Sequence, residues 1–125
     1  MTSTEITDEI EETLARLPER MSGNEANQYV AERLQNLMSR DRESVIEALK
    51  SYLTFQVAPE KRRPEDAPSE ARIWMALDLA VRLSLVELQP EISSLLSNVL
   101  KGKALDKLDA KSVDRYLQKL KTISS

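Results

Sequence analysis

Apolar residues recur at three- and four-residue spacing along almost the whole chain, and no stretch alternates with the two-residue period of a strand bounded by hairpin turns. The pattern predicts an all-α protein. A first helix is expected from about Ile6 to Leu17, with Ile6, Ile10, Leu14 and Leu17 on one stripe, Thr7 as a cap and Pro18 as its end. Ser22-Gly-Asn-Glu25 reads as a capping box opening a second helix, whose inward positions are Ala26, Tyr29, Val30, Leu34 and Leu37. Asp41 can cap a third, carrying Val45, Ile46, Leu49, Tyr52 and Leu53.

Residues 58 to 69, APEKRRPEDAPS, hold three prolines and six charges and read as a surface loop. The fourth helix is expected from residue 71 to about Glu87. Pro90 suits the first turn of a fifth, with Ile92, Leu95, Leu96, Val99 and Leu100 on its stripe and Lys101-Gly102 as its stop. Asp109 can cap a sixth, with Leu108 against Val113 across the cap and Val113, Tyr116, Leu117, Leu120 and Ile123 facing inward. About six helices joined mostly by tight turns imply antiparallel neighbours, the second with the third and the fourth with the fifth, in a helix-pair stack or an orthogonal bundle.

The segment AL-x-LA-x-x-L-x-x-x-E-L-Q-P-E-I-x-x-LL, residues 76 to 96, resembles a HEAT repeat, with one apolar helix, a short turn and a second helix bearing its own Leu/Ile ridge. Residues 24 to 56 resemble it more loosely, and Val45 and Ile92 stand 47 apart, near the ~40 to 47 residue period of HEAT and armadillo units. The turn lacks the family's Asp and the second helix its following Arg or Lys. The resemblance implies a right-handed stack of helix pairs that binds other macromolecules through an exposed helical face.

Composition narrows the chemistry. The 125 residues fit one domain with one core, and at 41% hydrophobic and 31% charged the balance is that of a soluble helical protein. No run approaches the ~20 apolar residues that span a bilayer, and the opening MTSTEITDEIEE is acidic where a signal peptide is basic and then greasy. The expectation is a cytoplasmic protein with no membrane partner. Cysteine and histidine are both absent, which removes thiolate nucleophiles, imidazole bases, Ser-His-Asp arrangements and sulfur- or imidazole-ligated zinc. Neither of the two glycines lies in a phosphate-cradling motif, so a non-enzymatic protein without metal or cofactor is expected.

Charge is polarised from end to end. Residues 1 to 20 carry Glu5, Asp8, Glu9, Glu11, Glu12 and Glu19 against Arg16 and Arg20. Residues 101 to 125 carry seven bases against three acids, with Lys103, Lys107, Lys111, Arg115 and Lys119 every fourth residue. The polarity raises a contact between two copies as one option. The basic row raises a second, nucleic-acid binding through Lys107, Lys111, Arg115 and Lys119, against which stands the reading of a solvated helix face. Tyr116 is expected to face inward and offers no stacking platform there.

The fourth helix, ARIWMALDLAVRLSL, poses the sharpest question. Its core arc is expected to hold Ile73, Trp74, Ala76, Leu77, Ala80, Val81, Ser84 and Leu88. The other arc mixes Met75, Leu79 and Val86 with Arg72, Asp78 and Arg82. Two accounts are open. Either neighbours cover both sides and Asp78 with Arg82 form an ordinary ion pair, or Met75, Leu79 and Val86 are an exposed patch gated by the three charges and extended by Arg62 and Arg63 of the loop. The leading expectation is a protein-binding module, an immunity-type inhibitor or an adaptor, with a partner protein of unknown identity.

Overall fold

The computed structural model describes residues 2–18, 20–54, 70–100 and 110–124. Among these the chain forms five α-helices and one 3-10 turn and no strand: α1 Ser3–Ala15, α2 Gly23–Thr54, α3 Glu70–Arg82, the 3-10 turn Val86–Leu88, α4 Gln89–Leu100 and α5 Ala110–Ser124. The expected loop at residues 58 to 69, the Lys101-Gly102 stop and the Asp109 cap lie outside the described residues. The chain divides into two compact units, Met1–Leu49 and Lys50–Ser125.

In the first unit the helix starts are set by short polar side chains. Thr2, not Thr7, caps α1: its backbone is extended (φ -100, ψ 163) and its Oγ1 accepts the Glu5 N–H at 3.2 Å. Thr7 sits inside the helix, and Arg16, still helical in its backbone, ends it two residues ahead of Pro18, whose ring disfavours helical backbone at Leu17. Ile6, Ile10 and Thr13 are buried, whereas Leu14 and Leu17 are half-buried. Ser22 caps α2, its Oγ accepting the Glu25 N–H at 3.1 Å while its hydroxyl donates to the Glu25 carboxylate at 3.2 Å. Arg33 Nε donates to Glu9 Oε1 at 2.7 Å and ties α2 to α1.

Where the sequence suggests two helices, the structure runs α2 through both with a break at Asp41, whose φ of -156 and ψ of 79 are not helical. The Asp41 carboxylate accepts the Ser44 N–H at 3.1 Å and the Ser44 hydroxyl at 2.6 Å, so the kink restarts the helix with its own cap. Those hydrogen bonds from Ser44 hold the Asp41 carboxyl below its ordinary pKa. Val30, Leu34, Leu37, Val45 and Leu49 are buried as the stripe predicts, but Tyr29 is 52% exposed.

The second unit is built around α3. Ile73, Met75, Ala76, Leu77, Leu79, Ala80 and Leu83 are buried, an apolar arc over more than half of the helix circumference, and no side chain described between Arg72 and Leu83 is fully exposed. The helix stops five residues before the expected Glu87. Ser84 adopts a left-handed backbone with φ 54, the Leu85 N–H reaches the Ala80 carbonyl at 2.8 Å, and the Ser84 N–H reaches Val81 at 3.1 Å. This is a Schellman stop with serine where glycine is usual. Ser84 is therefore exposed, not part of the core arc. Leu85 and Leu88, fully buried, anchor the 3-10 turn, and α4 starts with Pro90 in its first turn.

The amphipathic α5 packs its Val113, Leu117 and Leu120 stripe inward and contacts α3, α4 and the 3-10 turn. Leu100 and Ile123, expected inside, are 71% and 43% exposed at the ends of α4 and α5. One ion pair joins the last turn of α2 to α4, with Lys50 Nζ 3.4 Å from Glu91 Oε1. Glu91 Oε2 is buried with no hydrogen-bond partner in the described residues.

Two stability outcomes follow from these details. A left-handed non-glycine residue costs roughly 1–2 kcal/mol, and glycine's greater unfolded freedom takes back about 0.5–1, so Ser84→Gly should stabilise the protein by about 0.5–1 kcal/mol in chemical denaturation. An unchanged or lower midpoint would show that the turn is not under this strain. Lys50→Met strands the Glu91 carboxylate and should cost about 1–3 kcal/mol, most of it recovered in Lys50→Met/Glu91→Leu. A double variant as unstable as the single one would rule out the pairing.

Candidate functional site

On α5, advancing about 100° per residue from Val113, the helix turns in order through Tyr116, Ser112, Lys119, Arg115 and Lys111. Tyr116 thus lies on the shoulder of the buried stripe, and the cations lie farther out, Lys119 nearest to it and Arg115 and Lys111 on the far side. Lys111, Arg115 and Lys119 are all exposed, while Ser112 and Tyr116 are half-buried. On α3, Trp74, Asp78 and Arg82 occupy successive turns along one line, and all three are half-buried.

Where these two shoulders meet there is a cleft of about 260 Å³ lined by Trp74, Ser112, Arg115, Tyr116 and Lys119. The two rings stand 6.2 Å apart, centroid to centroid, and are tilted by 42°. That separation is within the range of a favourable aromatic pair. Lys119 Nζ sits 5.7 Å from the Tyr116 ring centroid, close enough for a cation–π contact. The lining residues include two cations and no acid. Among the described residues, no carboxylate pairs with Arg115 or Lys119.

Asp78 and Arg82 carry opposite charges and hold each other, with Arg82 Nε 2.5 Å from Asp78 Oδ2. Burial, and next to it the Asp78 charge, push the Tyr116 phenol above its ordinary value, with Arg82 and Arg115 pulling the other way. Tyr116 is therefore a neutral hydrogen-bonding and stacking group, not a nucleophile or base near neutral pH.

The residues singled out by pattern fare unequally. Met75 and Leu79 are 4% and 0% exposed, so they are packing residues and not an open apolar patch. The exposed-patch account of the fourth helix is corrected for these two: helix packing closes over that arc and leaves the Trp74, Asp78 and Arg82 line partly open instead. Arg72 and Val86 are half-buried, with Val86 on the 3-10 turn. Arg62, Arg63 and Lys107 lie outside the described residues. Lys111, Arg115 and Lys119 do share one exposed surface, and the latter two enter the cleft.

Trp74 and Tyr116 are the cleft residues that pattern reasoning set aside as core. A signal was present: Ser112, Tyr116 and Lys119 fall at i, i+4 and i+7, directly beside the Val113, Leu117 and Leu120 stripe at the same spacing. A second concavity, about 410 Å³, belongs to the first unit and is lined by Glu9, Thr13, Arg16, Leu17, Pro18, Met21, Tyr29 and Arg33. Its two arginines are already engaged, Arg33 with Glu9 and Arg16 with Glu12.

No protein family, curated protein or solved structure matches this chain. The cleft must be read on its own chemistry. Among the described residues no three carboxylates converge to hold a metal ion, and no helix is long and apolar enough to cross a membrane. What the cleft offers is an aromatic wall, a hydroxyl and two cations at its mouth.

The raised phenol makes the geometry measurable. In an ultraviolet pH titration Tyr116 should ionise above the ordinary value near 10, and Asp78→Asn should lower its value, because the charge that opposes phenolate formation is gone. Since the folded pKa is the higher one, the linked stability is present in full below pH 10 and is lost as pH rises through the folded value. Tyr116→Phe should remove that alkaline loss. A titration in which Asp78→Asn leaves all three tyrosines where they were would refute the placement of Tyr116.

Proposed function

We propose that this chain is a non-enzymatic protein that works by binding another protein, as a small inhibitor of the immunity type or as an adaptor, through the outer surface of α5 and the cleft beside Trp74. The observation that carries this is the cleft itself: an aromatic pair flanked by Arg115 and Lys119 with no acid in its lining. Tyr, Trp and Arg are the residue types that supply most of the energy at protein interfaces, because they combine large rigid contact area with a polar or charged end. A chain with neither histidine nor cysteine has few routes to general-base or nucleophilic chemistry, which favours recognition over catalysis.

The HEAT-like reading of residues 76 to 96 belongs to the same proposal, since that family presents helical faces to macromolecules. Nucleic-acid binding is the second reading, favoured by the exposed row of Lys111, Arg115 and Lys119. Against it, the two rings are inclined to each other, and Lys119 already lies over Tyr116, so successive bases would not find parallel stacking faces.

A photo-activatable amino acid at Gln118, exposed on α5, distinguishes the readings. Cross-linking in cells should trap a discrete protein adduct that survives nuclease and disappears in Arg115→Glu/Lys119→Glu. Adducts that vanish on nuclease treatment would replace the protein partner with a nucleic acid, and adducts indifferent to the charge reversal would place the interface elsewhere.

A further inference from the structure

Resting on that protein-binding reading, we infer that the cleft between α3 and α5 takes a short acidic segment of its partner, with one large apolar side chain inserted against Trp74 and Tyr116 and flanking carboxylates held by Arg115 and Lys119. Three observations select this occupant.

The first is volume. About 260 Å³ lies below the ~300–1,000 Å³ of sites that enclose cofactors and drug-sized ligands, yet it accommodates one large side chain. The site is scaled to an inserted residue. The second is charge. Both cations in the lining are without a carboxylate partner among the described residues, and Asp78, the acid whose charge acts on Tyr116, is held by Arg82. An incoming carboxylate therefore meets no competing anion and displaces no existing ion pair. The Tyr29 concavity of the first unit differs on this point, because its arginines are already paired.

The third is arrangement. Arg115 and Lys119 are four residues apart, so their Cα atoms are separated by about 6 Å along the helix axis. Two carboxylates of one peptide can reach both, with Arg offering a two-pronged contact and Lys a point charge. The apolar wall runs beside this pair and not between its members, because Tyr116 sits on the shoulder toward the core. Hydrophobic insertion fixes the position of the segment, and the charges select its composition.

Trp74 is the chain's single tryptophan, so its emission reports on this cleft alone. The probes are the capped peptides EEDFEED, EEDSEED and KKKFKKK and a dT oligonucleotide, titrated into the full chain at low salt. EEDFEED should change the emission saturably and weaken with added salt. EEDSEED should bind roughly tenfold more weakly or worse, the loss expected for one buried phenyl group. KKKFKKK should not bind. Arg115→Glu/Lys119→Glu, with its helical circular dichroism checked, should abolish the response to EEDFEED.

Equal affinity for EEDFEED and EEDSEED would overturn the inserted side chain while leaving a protein-binding face on α5 intact. Response to the oligonucleotide in place of the acidic peptides would overturn both this inference and the protein-binding reading. Undiminished EEDFEED binding by the charge-reversed variant, or no response to any acidic peptide, would overturn the assignment of the cleft, and the cross-link at Gln118 then decides the wider reading separately.

Discussion

Burial of one helix over more than half of its circumference is the constraint from which the second unit takes its form. α3 places Ile73, Met75, Leu77, Leu79 and Ala80 around most of its circumference, and such a helix must find cover in several directions at once. α5 supplies part of that cover through Val113, Leu117 and Leu120, the segment from Leu85 to Leu88 adds more, and α4 packs in turn on α5 and the 3-10 turn through Ile92 and Leu95. Once α5 is seated by its apolar stripe, its helical repeat leaves no freedom in where Tyr116, Lys119 and Arg115 go. The aromatic pair and the cations beside it are a consequence of core packing, fixed by side chains that lie outside the cleft.

The same constraint explains why Asp78 and Arg82 stand together. A half-buried carboxylate next to a phenol and an indole would be costly unless paired, and a guanidinium one turn further along the same helix is the shortest way to pair it. Electrostatic separation inside the unit is thus achieved locally, with one ion pair spent behind the cleft and two cations left at its mouth.

Much of the architecture was legible because helix periodicity and polar caps are local signals. The Ser22 cap, the hydrogen bonds of Asp41 to Ser44 and the inward stripe of α5 all follow from residues within one or two turns of each other. The Thr2 cap was legible as well, in the spacing of Thr2 to Glu5, but lay one turn before the first obvious apolar position. Ser84 was not legible. Nothing in a serine announces a left-handed backbone, and only the need to turn Leu85 and Leu88 back into the interior selects it there. Met75 and Leu79 were ambiguous for a different reason: periodicity orders side chains around a helix but does not say how many neighbours arrive to cover them.

That last ambiguity bears directly on function. An apolar arc and an aromatic shoulder look alike in a sequence, yet packing closes the first and leaves the second half open. The deciding quantity is the width of the covering helix. α5 is narrow where it meets α3, because its buried stripe is one residue wide per turn and its flank carries Ser112 and Lys119 in place of further aliphatic groups. Two more leucines at those positions would extend the core over Trp74 and close the cleft. The chain instead has a hydroxyl and an ammonium there, which leaves an indole in partial contact with solvent beside positive charge. Partial exposure of a large aromatic surface is unfavourable for a protein alone in water, and it becomes favourable when an apolar group covers it. The identity of Ser112 and Lys119, more than that of Trp74 itself, is therefore what keeps this indole partly open to solvent and out of the core.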